Sequence, residues 1–64
     1  MIFRQIFHHE SCTYTYILAP HSGGEALIID PVQDQVEHYL RVIDELDLRL
    51  VKAIDTHIHA DHIT

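Results

Sequence analysis

The sequence predicts a layered α/β fold (α+β in its segregation of strands and helix), with elements in the order β-β-β-α-β. Three observations lead there. Before residue 30 the apolar residues alternate or form short runs bounded by turn residues, which is how strands read. From about Gln33 to Leu46, the residues Val36, Leu40, Ile43 and Leu46 recur every three or four positions, the repeat of one helix face. Leu48 to Ile54 then forms a further apolar run, and a histidine-rich segment follows it.

Taken in order, Ile2 to Phe7 is the first strand, with Ile2, Arg4 and Ile6 on one face and Phe3, Gln5 and Phe7 on the other. Cys12 to Ala19 is rich in β-branched and aromatic residues and is the second. Thr13, Thr15 and Ile17 share one face of it, Tyr14, Tyr16 and Leu18 the other. Pro20-His21-Ser22-Gly23-Gly24 is the clearest turn in the chain. Ala26 to Ile29 follows as a short apolar strand, so Thr13–Ala19 and Glu25–Ile29 pair as a hairpin. Asp30-Pro31 ends that strand, and Asp30 is expected to cap the turn that follows. In the helix, Asp34, Glu37, Asp44 and Glu45 belong to the wet side. Asp47 breaks the helical repeat, and Leu48 to Ile54 reads as a buried strand.

Length and charge bound the function. Sixty-four residues make at most one small domain, which buries only about 60% of its extended surface. Ten acidic residues against four basic ones give a net charge of −6, which argues against nucleic acid and anionic membranes as partners. Cys12 is the single cysteine, so no internal disulfide forms and a reducing compartment is expected. The N-terminus has neither signal-peptide nor transit-peptide character, and no apolar run reaches membrane-spanning length. A cytoplasmic location is the expectation.

The chemistry is concentrated in Thr56-His57-Ile58-His59-Ala60-Asp61-His62-Ile63-Thr64. In an extended segment His57 and His59 share a face and can grip one ion. On a helix they would lie roughly 200° apart. Asp61 and His62 add an oxygen and a nitrogen for the same ion or a second one. His57, His59, Asp61 and His62 are therefore the candidate metal ligands. Imidazole and carboxylate suit Zn, Fe, Mn and Ni, so the donors alone do not choose the metal. The cluster directly follows the end of a strand, where layered α/β folds tend to place ligands. Asp55 at the corner is read as an exposed turn carboxylate.

Other residues receive plainer readings. His8 and His9 belong at the surface near the end of the first strand, and His21 and His38 are expected to be solvated. Cys12, in step with Tyr14 and Tyr16, is read as a packed small side chain. Tyr14 and Tyr16 are sheet-face residues with hydroxyls that reach an edge.

Thr-His-x-His-x-Asp-His after a β-β-β-α-β lead resembles the first metal motif of the metallo-β-lactamase superfamily. Phe3-Arg4-Gln5, Ser11-Cys12-Thr13-Tyr14-Thr15-Tyr16 and Ile29-Asp30-Pro31-Val32 resemble its persulfide dioxygenase (sulfur dioxygenase) branch, as does the closing segment with Ala60. The resemblance covers essentially the whole chain but only the first part of the family's catalytic domain, a four-layer αββα sandwich. It implies oxidation of glutathione persulfide, or a related small thiol substrate, by O2 to sulfite and the thiol. The cofactor implied is Fe(II), one per complete domain, with Zn as an alternative. By the same resemblance His57 supplies one iron ligand, and the remaining ligands come from sequence beyond Thr64. His59, Asp61 and His62 match positions that bind metal in dinuclear hydrolase relatives and shape the surroundings of iron in the mononuclear enzymes.

Two alternatives stand beside this. One is a thioester hydrolase similar to glyoxalase II, with a dinuclear site; the other is a non-catalytic metal-binding or self-associating fragment. Residues 1–64 alone, as an incomplete N-terminal segment, are expected to show no turnover. An uncovered sheet face and unpaired edges favour association, including a homo-oligomer.

Overall fold

The computed structural model describes residues 1–56. Its elements are β1 (Ile2–His8), β2 (Thr13–Ala19), β3 (Glu25–Ile29), a 3₁₀ turn (Gln33–Gln35), α1 (Val36–Glu45) and β4 (Arg49–Ile54). They form one mixed sheet in the order β1-β2-β3-β4 with α1 on one face, so the β-β-β-α-β order holds. β1 and β2 are antiparallel with Ile2 opposite Ala19 and His8 opposite Thr13. β2 and β3 form the expected hairpin, with Ile17 opposite Ile28. The chain then crosses through α1 to β4, which runs parallel to β3 and ends with Ile54 beside Ile29.

Turn chemistry fixes the hairpin. The Gly24 amide donates to the His21 carbonyl at 3.1 Å, and Gly23 between them has φ +80°, the value that the third position of a type II turn requires. A Cβ on Gly24 would lie 3.0 Å from the His21 carbonyl oxygen. Gly23 is therefore demanded by its backbone angle, and a side chain at Gly24 would press on the His21 carbonyl.

Ile17, Ala19, Ala26, Ile28, Tyr39 and Ile43 make the core, with Ile2, Ile6, Val42 and Leu48 packed around it. The helix face differs from the one the apolar repeat suggests. Val36 and Leu40 are 44% and 51% exposed, whereas Tyr39 and Ile43, one turn apart, point into the sheet. Tyr39 carries both a large apolar ring and a hydroxyl with partners inside, so it displaces a purely aliphatic stripe. The acidic residues do stay outside: Asp34, Glu37, Asp44 and Glu45 are all exposed.

Two further expectations need correction. β4 is exposed from Arg49 to Ala53 and only Ile54 is half-buried, because among the described residues it lies at the edge of the sheet and the core centres on β2, β3 and α1. A register shift between Ala26 and Leu27 leaves Val51 without a partner residue on β3. Cys12 lies outside β2, exposed, with φ +53° in the β1–β2 turn. Its amide closes that turn on the His9 carbonyl at 3.3 Å, so it serves the turn and not the core.

The open face carries Phe3, Phe7 and Tyr14 exposed, with Phe3 stacked near Tyr16 and Phe7 near Tyr14. Among the described residues no helix is long and apolar enough to cross a membrane.

Helix α1 ends where Asp47 adopts φ +57°. The Leu48 amide donates to the Ile43 carbonyl at 2.9 Å and the Asp47 amide to the Asp44 carbonyl at 3.0 Å, the paired bonds of a Schellman motif. Glycine is the usual residue at that left-handed position, and no basic residue occupies the last turn to complement the helix dipole. Asp47→Gly is expected to stabilise the fold by about 1 kcal/mol, through relief of backbone strain and removal of a carboxylate from the helix C-terminus. A urea midpoint that fell would contradict this account of the helix end.

Candidate metal centre

The parallel pairing of β3 and β4 brings their carboxyl ends side by side, and Asp30 joins them. Its amide donates to the Ile54 carbonyl at 2.7 Å. Its carboxylate receives two bonds from one residue: the Thr56 amide donates to Oδ1 at 2.7 Å, and the Thr56 hydroxyl donates to Oδ2 at 2.6 Å. The expectation that Asp30 caps the turn that follows is overturned. The 3₁₀ turn starts at Val32 with no side-chain cap, because the Asp30 carboxylate is turned toward Thr56.

Asp30 also has φ +56°, and it directly precedes a proline, which ordinarily holds its predecessor in extended conformations. A non-glycine residue held in the left-handed region costs of order 1–3 kcal/mol, and such strain persists where surrounding contacts over-determine it. Here they do. The Thr15 hydroxyl donates to the Asp30 carbonyl at 2.7 Å, the Val32 amide donates to the Tyr39 hydroxyl at 3.1 Å, and the two hydroxyls lie 3.0 Å apart.

The clasp ends on Thr56, the residue immediately before His57. His57, His59, Asp61 and His62 themselves lie outside the described residues. Their donor set of three imidazoles and one carboxylate fits a first-row divalent metal. Among the described residues, no three His, Cys, Asp or Glu side chains are grouped to hold a metal ion.

The remaining histidines are accounted for locally. His8 is more covered than expected, its side chain 11% exposed: Nδ1 meets the Ser11 hydroxyl at 2.8 Å and Nε2 lies 3.3 Å from a Glu10 carboxylate oxygen. His9 and His21 are exposed as expected, and His38 is half-buried beside Tyr39. Tyr14 is an exposed sheet-face residue and the Tyr16 hydroxyl accepts from the Gln5 amide at 3.2 Å, in line with their expected places. Asp55 is exposed.

Sequence reasoning missed Asp30 as a clasp, together with the buried hydroxyls of Thr15 and Tyr39. The available signals were a threonine within the apolar face of β2 and a tyrosine within the helix repeat, each carrying a hydroxyl into a core.

No family model matches the chain. It is 47% identical over all 64 residues to the mitochondrial persulfide dioxygenases ETHE1 of Bos taurus and of Homo sapiens, matching 100% of this chain and 25% of each relative. The crystal structure of ETHE1 from Myxococcus xanthus superposes with a TM-score of 0.87 at 53% identity, covering 100% of this chain and 28% of that one. The chain thus spans about a quarter of the length of the curated relatives it matches. In sequence and in fold alike, all 64 residues of the chain are similar to about a quarter of the ETHE1 persulfide dioxygenases.

Proposed function

We propose that this chain is the opening, metal-binding portion of a persulfide dioxygenase that oxidises glutathione persulfide with O2. The observation that carries the reading is 47% identity, along every residue of the chain, to proteins of that name. The donor set His57, His59, Asp61 and His62 supports it. When bound, Fe(II) supplies the redox chemistry that O2 requires, and His57 is the residue of this chain that would hold it. By the same reading, His59, Asp61 and His62 would lie around the metal and orient what binds there. In the overall reaction the outer sulfur of the persulfide leaves as sulfite, O2 and one water supplying its oxygens, and the thiol is regenerated.

What the described residues contribute is placement. A parallel strand pair with a carboxylate clasp holds Thr56, the residue before His57, at the end of a strand. A cytoplasmic location belongs to the same proposal, and subcellular fractionation distinguishes it from the mitochondrial location in the relatives' names.

The test is made on the protein purified from its source. Sulfite formation with matching O2 uptake is expected, abolished when iron is chelated. His57→Ala should lower activity by more than the ~10–100-fold that loss of an outer partner of a metal ligand produces. Hydrolysis of a glutathione thioester with two metals per chain, and no sulfite, would overturn the reading in favour of the glyoxalase II-like hydrolase.

A further inference from the structure

Thr15 and Tyr39 are 0% and 3% exposed, yet each brings a hydroxyl into an otherwise apolar core. Buried hydroxyls are unfavourable unless their bonds are made. Here the bonds have one consistent direction. The Thr15 proton goes to the Asp30 carbonyl, so the Thr15 oxygen must accept from the Tyr39 hydroxyl. The Tyr39 oxygen in turn accepts from the Val32 amide. Both ends of this relay land on the same turn, one on each side of Pro31.

We infer that the Tyr39–Thr15 hydroxyl pair is a positioning device for the metal-binding segment, acting through Asp30. The relay grips the Asp30-Pro31-Val32 turn from the interior, and Asp30 grips Thr56 from the same turn's other side. Phenylalanine and valine would fill nearly the same volumes at 39 and 15, so volume alone does not call for the hydroxyls. Their partners are all in the strained turn, apart from each other. Loss of either hydroxyl frees the turn, shifts the carboxylate and loosens the strand end that leads to His57. The inference rests on the reading of His57 as a metal ligand, with His59, Asp61 and His62 around the metal.

The test compares Tyr39→Phe, Thr15→Val and Thr15→Ser with the unmodified protein. Two quantities are measured: amide hydrogen exchange residue by residue, and Zn(II) affinity by competition with a chelator. Tyr39→Phe and Thr15→Val should speed exchange at Thr56 at least about tenfold relative to the amides of β2 and β3, and weaken metal binding by ~10–100-fold. Thr15→Ser, which keeps the hydroxyl, should retain both properties. Unchanged Thr56 protection and metal affinity in Tyr39→Phe would overturn the inference. So would a uniform rise in exchange across the sheet, or a Thr15→Ser variant as impaired as Thr15→Val, since either would mark a packing role only. If the unmodified protein binds no metal, the metal-site reading fails, and the exchange measurement still decides whether the relay holds Thr56.

Discussion

Ile17→Ala is expected to cost residues 1–64 much of their folding stability. Ile17 is completely buried at the middle of β2, flanked by Arg4 on β1 and Ile28 on β3, and it belongs to the cluster that includes Tyr39 and Ile43. Truncation of a buried isoleucine to alanine costs about 2–5 kcal/mol, because the cavity adds to the lost transfer energy. Folded domains hold roughly 0.05–0.15 kcal/mol per residue. A chain of this length therefore has on the order of 3–10 kcal/mol in total, and the substitution removes a large share of it. Leu40→Ala is the informative companion. The apolar repeat places Leu40 on the buried face, but it is 51% exposed and alanine is the better helix former. It should change stability by no more than about 0.5 kcal/mol. Urea unfolding followed by far-UV circular dichroism measures both; a Leu40→Ala loss near that of Ile17→Ala would restore the aliphatic stripe as the packed face.

The contrast between these residues shows which parts of the fold were legible. Strands β1 to β3 follow from alternation and from a turn in which Gly23 holds a left-handed φ, both local properties of the sequence. The helix was legible as an element but its face was not. Tyr39 counts as amphipathic in any hydropathy pattern, and its burial depends on Thr15, 24 positions away. β4 misled in the opposite direction, since an apolar run specifies a strand without saying whether the strand is central or at an edge. The candidate metal ligands are legible only as a pattern of donor atoms in the sequence, since they lie outside the described residues. Their support was not. Asp30 and Thr56 are 26 residues apart, and nothing in either neighbourhood announces the contact. It exists only once β3 and β4 lie parallel with their carboxyl ends level.

That contact carries the remaining large effect. Asp30→Ala should lower stability by about 2 kcal/mol and weaken metal binding by ~10–100-fold, in the same chelator competition used for the hydroxyl pair. Two causes contribute to the stability loss and can be separated. One is the pair of charge-assisted bonds to Thr56, at 2.7 and 2.6 Å; Thr56 is exposed, so water compensates part of their loss and the penalty falls below that of a buried pair. The other is the backbone, since alanine tolerates φ +56° less well than aspartate does. Asp30→Gly removes the bonds while relieving the backbone, so it should recover about 1 kcal/mol relative to alanine without recovering metal affinity. Asp30→Asn keeps an acceptor for the Thr56 amide and tolerates the left-handed conformation, so it should retain more affinity than either. The order asparagine above glycine in affinity, with glycine above alanine in stability alone, is what a clasp predicts. Metal affinity that tracked stability across all three variants would reduce Asp30 to a strand terminator. Affinity that followed the carboxamide and carboxylate instead would identify it as the anchor from which the histidine segment is aimed.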